Sequence, residues 1–243
     1  LHYGLLPRHP DWAPFLARLR YVVLDELHAY RGVFGTHVAL ILRRLLRLAR
    51  HYGASPQVLA ASATIANARE HAEALTGLPF EELKAQVART ERELLVLLPK
   101  PLDRRGERRR SPLLEAAYLA RRLAEAGLKG LVFAGARKSA ELIARYAAHP
   151  LVRPYRAGYT ARERRRLEAD LKEGRVRVLV STSALELGVD IGELDAVVLV
   201  GYPGSTAAFW QRAGRAGRGE RRALLVYIPR EDPMDEYFLH RPA

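Results

Sequence analysis

Cysteine is absent from this 243-residue sequence, and methionine and asparagine each occur once, at Met234 and Asn67. Without cysteine there is no disulfide framework, no thiolate metal site and no cysteine nucleophile. No apolar run approaches the roughly 20 residues that cross a bilayer as a helix, and no signal-peptide pattern opens the chain. A membrane partner is therefore not expected, and the cytoplasm is the expected compartment. Lysine is scarce, with Lys84, Lys100, Lys129, Lys138 and Lys172 the five present, so the net charge of +13 is an excess of arginine. That charge, with an isoelectric point near 10.4, points to a polyanionic partner, nucleic acid first; a proteome-wide basic bias is the alternative. Scarcity of thermolabile residues fits a thermophilic source.

Short apolar runs alternate with helical patterns along the whole chain. Strands are expected at 20–24, 57–61, 94–98, 130–134, 152–155, 176–181, 196–200 and 224–228, and helices at 38–50, 66–76, 113–126 and 137–148. Continuous apolar strands separated by helices predict an α/β fold, a parallel sheet covered on both faces. The segment 99–112, rich in proline and arginine, reads as an exposed basic loop, either solvated or in contact with nucleic acid. The length accommodates one large or two ordinary domains. A boundary is expected between Pro79 and Arg92, giving domains of 1–88 and 89–243. The first holds two clear strands, too few for a doubly wound sheet, while the second holds a full set.

Several short segments combine residues suited to phosphate chemistry. Asp25-Glu26-Leu27-His28 stands at the end of the first strand, where open α/β sheets bind ligands. There Asp25 could hold Mg²⁺ and Glu26 could polarise a water; a helix N-cap followed by a first-turn acid is the structural alternative. Ser62-Ala63-Thr64 follows the second strand, and it too could serve as a helix cap. Ser181 to Asp190 joins hydroxyls to a Gly188-Val189-Asp190 turn, suited to a phosphate and a ribose hydroxyl. Gln211-Arg212-Ala213-Gly214-Arg215-Ala216-Gly217-Arg218 spaces guanidinium groups by three with glycines between, which predicts them on a turn rather than in a core. Gly135-Ala136-Arg137-Lys138-Ser139 superficially resembles a phosphate loop but has Arg137 where that motif requires glycine. Tyr155 to Arg166 interleaves tyrosines with Arg156, Arg162 and three further arginines, a pattern compatible with single-strand binding or with a solvated helix face.

Taken in order, these segments resemble motifs II, III, V and VI of superfamily 2 helicases. The runs Asp25 to Gly35 and Phe209 to Arg215 are similar to the MrfA/YprA-type bacterial DNA helicases, a RecQ-like group linked to repair of crosslinked DNA. The resemblance implies two RecA-like domains of parallel sheet and flanking helices, the first truncated and the second essentially complete. It implies ATP and Mg²⁺ as ligands, with Asp25 holding the metal through its water shell and Glu26 the base for hydrolysis. By the same resemblance Arg215 and Arg218 are arginine fingers, and Gly188, Asp190 and Gln211 approach nucleotide. His28, Ser62 and Thr64 couple nucleotide state to domain movement. The resemblance places Thr182 against the nucleic-acid backbone and the motif IV region at Arg137 near the nucleic-acid path, with an ordinary helix start the alternative there. Arg156 and Arg162, from the arginine–tyrosine pattern, are further candidates for backbone contacts.

One departure is large. The phosphate-loop pattern G-x-x-x-x-G-K-[S/T] occurs nowhere, and only 24 residues precede Asp25. With Leu1 in place of an initiator methionine, the expectation is a piece of a 3′ to 5′ DNA-repair helicase acting on single-stranded or forked DNA. An N-terminal phosphate-loop segment and a C-terminal domain would belong to the parent, and the piece alone would be inactive. An RNA helicase of the same superfamily and a non-catalytic nucleic-acid-binding module are the alternatives.

Overall fold

The computed structural model describes residues 1–62, 67–83, 92–103, 109–185, 191–217 and 222–240. The chain divides into two compact units, Leu1–Val87 and Ala88–Ala243.

In the first unit, a 3-10 turn (His9–Trp12) and α1 (Ala13–Ala17) lead into β1 (Tyr21–Leu24), α2 (Gly32–His51), β2 (Gln57–Ala60) and α3 (Ala68–Thr76). β1 and β2 pair in parallel, from Tyr21 beside Gln57 to Leu24 beside Ala60. Leu24, Leu27, Leu42, Ala72 and Leu75 form the core between strand, α2 and α3, while Leu6, Leu16 and Leu45 seat the N-terminal segment. The expectation of a strand buried on both sides is corrected here. Tyr21 is 59% exposed and Val23 66% exposed, whereas Leu24 is buried. Side chains alternate along a strand, and within this unit the helices cover one face only. α2 also begins six residues earlier than its leucine pattern predicts. Two glycines and a β-branched residue make Gly32 to Gly35 a poor helix start by propensity. The start is held by the Gly35 amide donating to the Arg31 carbonyl at 3.0 Å and by the Thr36 hydroxyl donating to the Gly32 carbonyl at 3.1 Å.

The second unit contains β3 (Arg92–Val96), α4 (Pro112–Glu125), β4 (Gly130–Phe133), α5 (Arg137–Ala147), β5 (Val152–Tyr155), α6 (Ala161–Lys172), β6 (Val178–Ser181), β7 (Ala196–Val200), α7 (Thr206–Ala213), β8 (Ala223–Ile228) and α8 (Pro233–His240). Its six strands lie in the order β3-β8-β7-β4-β6-β5, with every pairing parallel. The central strands are apolar throughout because both faces are covered. On one side Val132, Val180, Val198 and Val226 pack against Ala116, Ala120 and Leu123 of α4 and Ile143 of α5. On the other, Phe133, Leu179, Leu199 and Leu225 pack against Leu171 of α6 and Ala213 of α7. β3 is the exposed edge, and it sits two residues earlier than predicted because its ladder with β8 starts at Arg92.

Among the described residues of the basic loop, Arg109 and Arg110 are exposed, as expected, and each has a partner. Arg109 donates to the Pro99 carbonyl at 3.1 Å, and Arg110 pairs with Glu115 at 3.5 Å; Arg104, Arg105 and Arg108 lie outside the described residues.

Candidate functional site

The ends of β1 and β2 in the first unit are stitched together by backbone hydrogen bonds. The Ala61 amide donates to the Leu24 carbonyl and the Leu27 amide to the Ala61 carbonyl, both at 2.9 Å. Asp25 and Glu26 therefore emerge at the carboxyl edge of the parallel pair, beside Ser62. Asp25 is exposed, and one of its oxygens accepts the Glu26 amide at 2.8 Å. Glu26 occupies the left-handed region, with φ 51° and ψ 49°. For a residue with a Cβ this costs roughly 1–2 kcal/mol and is held in place by its surroundings. After this strained turn the carboxylate meets a residue further along the chain, with its Oε2 3.5 Å from His28 Nδ1. His28 Nδ1 is also 3.4 Å from the Ser62 hydroxyl. One imidazole thus stands between the acid of the first loop and the hydroxyl of the second.

The helix-cap alternative for these acids is not what the structure contains. Glu26 precedes only a three-residue 3-10 turn, Leu27–Ala29, and its side chain makes no capping bond. Likewise the residue at the start of α3 is Asn67 rather than Ser62 or Thr64. Thr64 lies outside the described residues.

In the second unit, every connection leaving a strand's carboxyl end lies on one edge of the sheet. Thr182 follows β6, Arg137 opens α5 after β4, and Arg156 follows β5. Arg137, Arg156 and Arg162 are exposed and Thr182 is half-buried. Arg156 is already engaged, 3.2 Å from Glu141 and stacked 4.8 Å over the Tyr159 ring. Arg162 sits in the first turn of α6, which begins with a reciprocal capping box between Thr160 and Glu163. Accepting the Thr160 amide and hydroxyl holds the Glu163 carboxyl below its ordinary range.

Arg215 is placed differently from the other cations. It stands on the turn after α7, as its spacing predicts, but its side chain is buried, at 7% exposure. The expectation that this guanidinium lies outside the core is corrected. The turn is clamped down by the Gly217 amide donating to the Leu194 carbonyl at 3.1 Å, with Ala213 and Ala216 packed into the core. Arg92 Nε, at the start of β3, donates to the Ala216 carbonyl at 3.0 Å. These contacts put the backbone of Ala216 and Gly217 near the amino ends of β3 and β7. Gln211, Arg212 and Arg215 all have polar or electrostatic partners within the fold, and the Arg212 guanidinium lies 5.3 Å from the Phe133 ring centre. Gly188, Asp190 and Arg218 fall outside the described residues.

Two features at the carboxyl edge escaped the sequence reading. Asp235, in α8, is 2% exposed and accepts both the Tyr202 amide at 2.8 Å and the Tyr227 hydroxyl. Burial first, then that hydrogen bond and the Asp235 charge, push the Tyr227 hydroxyl well above its ordinary pKa. Arg230, just beyond β8, lies against Gly135 and Gly201. A lone Asp in a short helix and an arginine after a strand carry no periodic signal; a Gly after each of two apolar strands was the available hint.

Two family descriptions match the sequence: DEAD/DEAH box helicase over residues 2–73 and helicase conserved C-terminal domain over residues 113–220. The chain is 41% identical over 251 residues to the uncharacterized ATP-dependent helicase YprA of Bacillus subtilis, covering 100% of this chain and 34% of that protein. The structure of the DUF1998 helicase MrfA bound to DNA and AMPPNP is 40% identical and superposes with a TM-score of 0.90, over 99% of this chain and 35% of that one. The Mycobacterium smegmatis helicase Lhr bound to ssDNA and AMP-PNP is 32% identical, with a TM-score of 0.76 over 92% of this chain and 30% of Lhr. The chain thus spans about a third of the length of these relatives. With the strand-end acids, the His28–Ser62 contact and the arginine-rich turn in place, the chain belongs to the superfamily 2 DEAD/DEAH-box helicases, of the MrfA/YprA-like type.

Proposed function

We propose that this chain contributes hydrolytic and nucleic-acid-contacting residues to an ATP-dependent DNA helicase. The observation that carries the reading is the grouping of Asp25, Glu26, His28 and Ser62 at the joined ends of β1 and β2. In this role Glu26 takes the proton of the water attacking the terminal phosphate of ATP, a task in which a positioned base contributes about 10²–10⁴-fold. Asp25 is suited to Mg²⁺, which is commonly held by one or two carboxylates together with waters and substrate phosphates. Its exposed carboxylate, with one oxygen steadied by the Glu26 amide, fits that chemistry; the metal, when bound, neutralises charge on the transferred phosphoryl group. His28 touches both Glu26 and Ser62, so displacement of the second loop alters the surroundings of the base. Thr64 shares this coupling role. Arg215 and Arg218 act as arginine fingers, worth roughly 10³–10⁵ in related phosphoryl transfers. Gly188, Asp190 and Gln211 contact the nucleotide.

On the second unit, Thr182, Arg137, Arg156 and Arg162 are assigned to the sugar-phosphate backbone of single-stranded or forked DNA. The DNA-bound MrfA structure supports DNA over RNA. Translocation from 3′ to 5′, a role in DNA repair and a cytoplasmic setting complete the reading. The absence of G-x-x-x-x-G-K-[S/T] from the sequence leaves these 243 residues without a backbone cradle for the phosphates, so the chain by itself is assigned no turnover.

ATP hydrolysis by the 243-residue chain, with and without single-stranded DNA and beside Glu26→Gln, tests this reading. Salt-dependent DNA binding without turnover is the expected result. Turnover that disappears in Glu26→Gln would overturn the inactivity and retain the base. A chain binding RNA but not DNA would favour the RNA-helicase alternative, and binding to neither would overturn the nucleic-acid role.

A further inference from the structure

β4 and β7 are neighbours at the centre of the second sheet, yet their following helices part company. α5, after β4, packs on the face lined by Val132 and Val198, whereas α7, after β7, runs over the face lined by Phe133 and Leu199. Where connections leave adjacent parallel strands toward opposite faces, a crevice opens outside the carboxyl ends, and this is the general ligand position in open α/β sheets. Gly135 and Gly201 are the residues at its two lips. A Cβ on Gly135 would lie 2.7 Å from Arg230 Nη2, and one on Gly201 would lie 2.4 Å from Arg230 Nε. The Arg230 side chain therefore reaches from the end of β8 across β7 to β4, in space that only glycine leaves open. Arg230 is an exposed residue, and among the described residues no ion pair neutralises it. The first turn of the eleven-residue α5, with exposed Arg137, borders the same crevice. Helix N-terminal amides and a planar guanidinium fork both favour a phosphate oxyanion.

We propose that Arg230, held in the Gly135–Gly201 cradle, is a backbone-phosphate ligand of the bound nucleic-acid strand. The proposal rests on the nucleic-acid role assigned above. It extends that path from β5 and β6, where Arg156 and Thr182 stand, across β4 and β7 to β8. The two glycines are then a binding requirement, because a methyl group at either position displaces the guanidinium.

Binding of a labelled oligodeoxythymidylate to the full 243-residue chain, followed across salt concentration, tests the assignment. A phosphate contact on a single strand contributes roughly −0.7 to the slope of log K against log salt. Arg230→Ala is expected to make the slope shallower by about that amount and to weaken binding roughly fivefold near 0.1 M salt. Arg230→Lys should keep the slope and lose affinity, since a point charge replaces a fork. Gly135→Ala, whose backbone does not need glycine, should reproduce Arg230→Ala and add nothing to it in the double variant. A slope unchanged by Arg230→Ala but reduced by Arg137→Ala would overturn the assignment while leaving the DNA path intact. No DNA binding by the unmodified chain would overturn both. A melting temperature within about 2 °C of the parent separates a lost contact from a lost fold.

Discussion

Asp235 anchors α8 to the sheet through two donors, and its replacement gives a sharp test of that reading. Asp235→Ala leaves the Tyr202 amide and the Tyr227 hydroxyl without their acceptor in a site only 2% exposed. Each orphaned buried donor costs about 1–3 kcal/mol. Removing a buried carboxylate returns part of this, because the charge no longer has to be desolvated. The net expected loss is about 2–4 kcal/mol in the unit spanning Ala88–Ala243. For a domain of that size, 1 kcal/mol moves Tm by roughly 2–4 °C, so a fall of about 5–15 °C is expected. The Tyr202 amide and the Tyr227 hydroxyl both donate to Asp235 Oδ1, so Asp235→Asn keeps an acceptor for both and should lose clearly less than Asp235→Ala. Urea unfolding followed by circular dichroism measures both variants. A second readout is the tyrosinate absorbance. Because Asp235 is among the causes that raise Tyr227, one tyrosine should ionise at lower pH in Asp235→Ala. The reasoning fails if Asp235→Ala stays within 0.5 kcal/mol of the parent, or if the alkaline absorbance curve does not move.

Two further predictions concern Gly35 and Tyr155. A Cβ at Gly35 would lie 2.3 Å from the Tyr30 carbonyl oxygen, which is backbone, so Gly35→Ala should cost about 1–3 kcal/mol through overpacking. Helix propensity alone predicts the opposite sign, a gain of about 0.5–1 kcal/mol, and urea unfolding decides between them. Burial, then the hydrogen bond to Glu168, pushes the Tyr155 hydroxyl up to about 12. A raised folded-state value means that stability is fully present below pH 10 and lost between about pH 10 and 12. Tyr155→Phe should lack that component of the alkaline loss, and equal losses in the two proteins would refute the assignment.

The strand–helix alternation was legible because buried parallel strands must be continuously apolar. Val132, Val180 and Val198 face one set of helices while Leu131, Leu179 and Leu199 face the other. Asp25-Glu26 and Arg137 were legible for another reason: chain connectivity alone places a residue after a strand at the carboxyl edge. The start of α2 was not legible, since it depends on Gly35 packing against the Tyr30 carbonyl, a contact that propensity opposes. Nor was the exposure of Tyr21 and Val23, because an apolar strand reads the same whether helices cover one face or two.

The sequence by itself determined the fold class, the strand-end positions of Asp25, Glu26, Ser62 and Thr182, and the absence of a phosphate-loop motif, since each follows from local pattern along the chain. Only the tertiary structure decided that His28 meets both Glu26 and Ser62, that Arg215 is buried, and that Arg230 lies across Gly135 and Gly201. These depend on strand order and on backbone approaches between segments far apart in sequence, which no local pattern encodes.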